Sequence, residues 1–295
     1  MNRLIDKPRL LGLICAAFAV GLGVVYLTAA GAPFRYPAIN LAAFVAGCVV
    51  WLRVGPPAVS RWTGVAALAL TAPLLATALF GAEVNGASRW VSAGPLSLQV
   101  SLIVLPGIIV LYARSTDAIG TVGIVTAASA LATQPDRAMA GALVAGMGVI
   151  AATRRSRLSA FALSAALLGF GATLLQPDAV PAVPFVERVL YTAFDVHMLV
   201  GLGVVVGCFI LLTPSLGAVR RGSERPILLA FGASWAAVIA AAGIGNYPTP
   251  LVGYGGSAVL GYLLSVALLA GSPRGAVQTR EPHQTAVPSE LEQAP

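Results

Sequence analysis

The chain has 295 residues, 58% of them apolar and 10% charged, and a formal net charge of +7. A soluble domain carries about 25% charged residues, so there is too little charge here to coat a water-facing surface. The apolar blocks approach membrane-spanning length, which predicts an all-α polytopic membrane protein and excludes an ordinary soluble enzyme.

Ten apolar segments follow in order, at roughly 10–30, 38–54, 62–81, 97–113, 117–133, 137–153, 158–175, 190–213, 226–245 and 250–271. All should be helical, because lipid cannot satisfy open backbone groups. Several fall short of the usual ~20 residues, and the fifth and sixth could form one broken unit. The first run continues without a small-residue cleavage site and reads as a retained span. Cys15, Cys48 and Cys208 all sit inside apolar runs, so neither a disulfide framework nor a metal site is indicated. Residues 1–271 form a single transmembrane domain; residues 272–295, rich in Pro, Gln, Glu, Thr and Ala, read as a disordered cytoplasmic tail.

Counting Lys and Arg orients the chain. With the N-terminus inside, 14 of the 18 basic residues fall on the inner side; Arg35, Arg89, Arg137 and Arg188 fall outside. That bias satisfies the positive-inside rule and places both termini in the cytoplasm. The basic charge therefore orients the protein near anionic lipid and forms no nucleic-acid patch. The outer side collects Glu83 with Arg89, Asp136 with Arg137, and Asp178, Glu187, Arg188 and Asp195. Mixed charges beside spans are default functional candidates.

The longest polar connection runs from Gly81 to Ser101 and holds Glu83, Asn85, Arg89, Trp90 and Gln99 among three glycines. Gly81, Val84, Asn85, Gly86, Ala87, Arg89, Trp90, Gly94, Gln99 and Ser101 match in order and spacing the outer-loop signature G-x-x-V-N-G-A-x-R-W-x-x-x-G-x-x-x-x-Q-P-S-E. Gln134-Pro135-Asp136 matches a Q-P-D motif, and the run from Pro250 to Ser257 is similar to P-F-x-S-Y-G-G-S. Together these resemble the SEDS family (shape, elongation, division and sporulation; FtsW/RodA/SpoVE-type), the membrane-embedded peptidoglycan glycosyltransferases of bacterial cell division and cell shape. The chain departs from the family at Val100, Leu102, Leu105 and Gly253, and its outer loop at about 176–189 is cut short. That loop normally supplies an Asp in a Thr-Asp-Phe-like context, a tripeptide this chain lacks.

The resemblance implies a multi-pass protein of the bacterial inner membrane that polymerises lipid II by inverting glycosyl transfer. Such chemistry needs one carboxylate as general base and cations or amide donors on the pyrophosphate. Asp178, Glu187 and Asp195 are the candidate bases, with Glu187 nearest to where the family's carboxylate would fall. Arg89, Arg137 and Arg188 are the candidate phosphate-side cations, since the guanidinium fork binds phosphate oxygens in pairs. Asn85, Trp90, Gln99, Asp136, Tyr254 and Ser257 complete the candidate substrate contacts. A divalent cation could assist, although no ligand spacing argues for one.

Each residue has a plainer reading. Arg89 and Glu83 could pair and fix the loop; Trp90 could anchor at the interface; Asn85-Gly86 is a turn signal; Asp136 could cap the following helix. Arg188 lies seven residues before Asp195, so an ion pair within the eighth span is expected there, with His197 as a core histidine. A second functional reading is a degenerate relative that binds lipid II as a scaffold or partners a penicillin-binding transpeptidase; a third is transport of a lipid-linked sugar.

Overall fold

The computed structural model describes residues 7–55, 61–84, 87–94, 96–177, 181–219, 222 and 224–269. Asn85, Asp178, the Glu83 side chain and the tail expected at 272–295 lie outside the described residues.

Each of the ten apolar segments contains a helix or a broken pair of helices. They are α1 (Pro8–Ala29), α2 (Arg35–Arg53), α3 (Arg61–Ala69), α4 (Ala72–Phe80), α5 (Val100–Ser115), α6 (Ala118–Thr133), α7 (Arg137–Arg154), α8 (Arg157–Leu174), α9 (Val189–Val196), α10 (Met198–Ile210), α11 (Arg225–Ile244) and α12 (Gly256–Ala267). Among the described residues five spans are long and apolar enough to cross a bilayer, and six if the bent pair Met198–Ile210 and Thr213–Val219 counts as one. The protein is a multi-pass membrane protein.

Two of the expected continuous helices are interrupted. The third is broken at Thr71, two residues before Pro73, into α3 and α4. The eighth is broken at His197, whose extended backbone separates α9 from α10 and whose Nδ1 accepts the Leu199 N–H at 3.1 Å. His197 is exposed, not the core histidine expected. The fifth and sixth segments are distinct helices, α6 and α7, with Gln134-Pro135-Asp136 between them. Asp136 caps α7 by accepting the Met139 N–H, as Asp117 caps α6 through Gly120.

The stretch from Ala82 to Gln99 forms a small antiparallel sheet, β1 (Ala82–Val84), β2 (Ala87–Ala93) and β3 (Leu96–Gln99), in the order β1-β2-β3. Its second hairpin turns at Gly94, whose φ of +60° suits glycine. The fourth segment therefore opens as a strand, and helix begins only at Val100. Across β2 and β3, Trp90 faces Gln99.

Helix α5 is the centre of the bundle. It is buried from Val104 to Ala113 and packs against α3, α6, α7, α11 and α12. Small residues let the neighbours approach: a Cβ at Gly261 of α12 would collide with the Leu102 carbonyl oxygen. Gly261→Ala should therefore force α12 from α5 and destabilise the protein by about 1–3 kcal/mol. Gly21→Ala, where no atom lies within 4 Å, should be neutral or stabilising by up to ~1 kcal/mol. Thermal unfolding of both variants in detergent measures the difference.

Candidate active site

A cavity of about 610 Å³ lies where α2, the sheet and the start of α12 converge. One wall is the small-residue face of α2, formed by Ile39, Ala42, Ala43 and Ala46; opposite stand Trp90, Leu98 and Gln99 of the sheet. Val186 and Glu187 meet Pro248 and Thr249 along a third side, and Tyr254, Gly255 and Ser257 close the end. The walls are mainly apolar with a few polar groups, the usual make-up of a ligand site.

Glu187 reaches the cavity because two turn segments far apart in sequence join through backbone hydrogen bonds and one isolated bridge. The Thr249 N–H donates to the Val186 carbonyl at 2.9 Å, the Tyr254 N–H donates to that of Phe185 at 2.7 Å, and Glu187 bridges to Pro248. Gly253 fits against this pairing: a Cβ there would stand 2.9 Å from the Thr249 carbonyl oxygen and 3.1 Å from that of Val186. A Cβ at this position would press on both segments, which glycine avoids. Phe185, Arg188 and Leu251 all hold positive φ, between 60° and 67°. Left-handed backbone costs roughly 1–2 kcal/mol per non-glycine residue, and such residues gather at functional sites.

Glu187 is 7% exposed, and its Oε2 accepts the Val183 N–H at 2.5 Å. Burial pushes the carboxyl up to about 7, against the opposing pull of the Val183 and Glu187 backbone N–H groups and of the Arg89 charge. A carboxylate tuned near neutrality suits a general base.

Behind the cavity lies a buried polar hub. Asp136 is fully buried; its Oδ2 accepts Gln99 Nε2 at 3.0 Å and Ser101 Oγ at 2.5 Å, while Oδ1 caps α7. The carboxylate is thus occupied in tying β3 and α5 to α7, and its place is structural. It also fixes the Gln99 amide, since Nε2 must face the carboxylate, and leaves Gln99 Oε1 without a partner among the described residues. The Gln99 backbone N–H donates to Ser257 Oγ at 3.0 Å. Arg89, 3% exposed, donates from Nη2 to the Pro135 carbonyl and lies 6.0 Å from the Trp90 ring and 5.9 Å from that of Tyr247.

The structure therefore brings Glu187, Trp90, Gln99, Tyr254 and Ser257 to the cavity, with Arg89 and Asp136 behind it. It does not bring three others. Arg137 spends Nη2 on the Thr173 and Gln176 carbonyls at 3.3 and 3.0 Å, closing the end of α8. Arg188 is exposed and no part of the cavity wall. Asp195 is exposed near the end of α9 and makes no ion pair with Arg188, which stands outside the helix as its N-cap with left-handed backbone (φ 60°).

Sequence reasoning misses Asn40 and Thr249. Asn40 is buried in α2; its Nδ2 donates to the Gly253 carbonyl at 2.8 Å and its Oδ1 accepts the Gly255 N–H at 3.0 Å, pinning the turn that closes the cavity. A lone asparagine in the apolar run 38–54 is the available signal. Thr249 lines the cavity with its Oγ1 buried and unpartnered among the described residues, and only the fold reveals it. Among the described residues no group of three His, Cys, Asp or Glu stands together. The described donors do not form a protein-held divalent-cation site.

No protein-family model and no curated protein matches the chain. Among solved structures, the rod shape determining protein RodA of Thermus thermophilus superposes with a TM-score of 0.60 at 20% identity, over 88% of this chain and 94% of that one. An aspartate-to-alanine mutant of the same protein gives 0.61 at 19%, over 88% and 95%. The fold is RodA-like. The likeness is one of fold, at an identity of only one residue in five.

The raised carboxyl has a definite signature in stability. The folded protein binds the Glu187 proton more tightly than the unfolded chain, whose glutamate titrates near 4.5. This stabilisation, about 3 kcal/mol at most, is full below the unfolded value and is lost as pH rises through the folded one. Wild-type Tm should fall between about pH 5 and about pH 8, and Glu187→Gln should flatten that fall.

Proposed function

We propose that this protein is a SEDS-like component of bacterial cell-wall synthesis that polymerises lipid II at the outer face of the inner membrane. Two solved structures of like fold are of a rod shape determining protein, which supports a role in cell shape. In this reading all ten apolar segments span or enter the bilayer, and both termini are cytoplasmic.

The observation that carries the proposal is Glu187, a buried carboxylate poised near neutrality on the wall of a largely apolar cavity. Its ionised form takes the proton of the acceptor's 4-hydroxyl. That oxygen attacks the anomeric carbon of the donor sugar, the bond to pyrophosphate breaks, and undecaprenyl pyrophosphate leaves. Inversion follows from attack opposite the leaving group. Ser257 Oγ is a hydroxyl on the cavity wall able to orient the sugar, whereas Gln99 Oε1 and Thr249 Oγ1 are covered by protein, and Arg89 supplies positive charge from behind the wall.

One observation favours the second reading, a lipid-II-binding scaffold or partner of a penicillin-binding transpeptidase. Of three arginines expected at the pyrophosphate, Arg137 and Arg188 are placed elsewhere and Arg89 is buried.

Lipid II polymerisation by purified protein, alone and with a partner transpeptidase, separates the two. The enzyme reading predicts that Glu187→Gln lowers the rate about 10²–10⁴-fold, that Asp195→Ala leaves it unchanged, and that the wild-type rate falls as pH drops through about 7. A wild-type blank under both conditions retires the enzyme. Lipid II binding that persists in that case supports the scaffold.

A further inference from the structure

At the end of the bundle opposite the cavity, arginines close the C-termini of their neighbours. Arg9 of α1 donates from Nη2 to the Trp51 and Val54 carbonyls at the end of α2, at 3.0 and 2.9 Å. Arg114 of α5 donates from Nε to the Leu268 carbonyl after α12 at 3.0 Å, and Arg154 of α7 from Nη2 to the Ala113 carbonyl of α5 at 2.6 Å. Cations suit helix C-termini, and this accounts for those contacts alone.

It does not account for what remains. Arg9 Nε, the Trp51 indole N–H, Arg114 Nη2 and Ser115 Oγ are all shielded from water, and all lack a partner among the described residues. The Arg9 guanidinium lies over the Trp51 ring at 4.9 Å, and the Arg9 and Arg114 charges act on one another. Three of the four orphaned groups can only donate, and the serine hydroxyl can do so as well. Buried donors normally find acceptors, and like charges do not gather without a counter-charge. Glu224, at the start of α11, is within electrostatic reach of Arg114, which among the described residues sets one carboxylate beside two guanidinium groups. Arg9, Trp51, Arg114 and Ser115 are each half-buried at the bundle end, so a ligand reaches their covered donor atoms only by shifting these side chains.

We propose that this cluster binds a phosphate-bearing anion, the headgroup of an anionic phospholipid, between α1, α2, α5 and α12. A phosphodiester offers unesterified oxygens to adjacent guanidinium and indole donors, and basic pockets between spans are suited to lipid headgroups. The site is separate from the cavity and does not depend on the proposed enzymatic role.

The test uses the full chain, delipidated in non-ionic detergent and titrated with phosphatidylglycerol, with phosphatidylcholine of the same acyl chains, or with inorganic phosphate. Native mass spectrometry and Tm are the readouts. Phosphatidylglycerol should form a one-to-one adduct and raise Tm more than phosphatidylcholine does. Arg114→Gln should weaken it roughly tenfold, the loss of one charge-assisted hydrogen bond. Because Arg114 also closes α12, Trp51→Phe serves as the second variant: it deletes one donor, keeps an aromatic ring, and should weaken the adduct several-fold with lipid-free Tm unchanged. Inorganic phosphate that saturates and loses affinity in Trp51→Phe would support the site with a soluble ligand as its source. Equal retention of the two lipids, or affinity unchanged in a folded Trp51→Phe, would overturn the proposal.

Discussion

A short run of backbone pairing far apart in sequence governs the site. Phe185–Glu187 lies against Pro248–Tyr254, and only in that arrangement does a carboxylate from an abbreviated loop come to rest out of water. The pairing is held from both sides. Gly253 permits the close approach, and Asn40 clamps the far turn through both ends of its amide. Left-handed backbone at Phe185, Arg188 and Leu251 is the conformational cost of bringing the segments together. Burial of Glu187 then does electrostatically what no neighbouring acid does, holding a carboxyl near neutrality.

A second constraint stands behind the first. The Asp136 carboxylate joins β3, the start of α5 and the start of α7 in one buried network, and the Arg89 contact to Pro135 fastens the sheet to the same turn. The signature residues thus divide by task. Arg89, Ser101 and Asp136 build the floor, while Trp90, Gln99, Tyr254 and Ser257 face the cavity. Networks of this kind hold a site rigid when every member is satisfied. Here Gln99 Oε1 and Thr249 Oγ1, which lack partners among the described residues, belong to residues that line the cavity.

Much of this is legible in the chain itself. The apolar runs and the special character of Gly81–Ser101 can be read directly, because bilayer thickness and turn chemistry leave strong local signals. Interruptions within a run are not legible. Thr71 and His197 each stop a helix inside an apolar stretch, and hydropathy does not register such a break. The ion pair expected between Arg188 and Asp195 fails for a different reason: the helix starts only at Val189, and Arg188 precedes it in a left-handed conformation. The sheet escapes notice because β1 to β3 are short and carry little strict alternation. Arg137 is misassigned because nothing in its sequence context shows that two carbonyls at the end of α8 need a donor. Glu187 can be singled out as a candidate from its place in the chain. Its near-neutral titration, however, comes from burial, which outweighs the Val183 hydrogen bond and depends on packing that sequence proximity does not disclose.

Glu187 should be protonated and ionised in nearly equal measure at neutral pH, and infrared difference spectroscopy of the carboxyl stretch reads this directly. Comparing wild type with Glu187→Gln across the pH range should reveal one protonated carboxyl band, absent from the variant, that disappears with a midpoint at about 7. A band that titrates near 4.5, the ordinary value, would mean that water reaches the carboxylate and that the cavity wall described here does not hold.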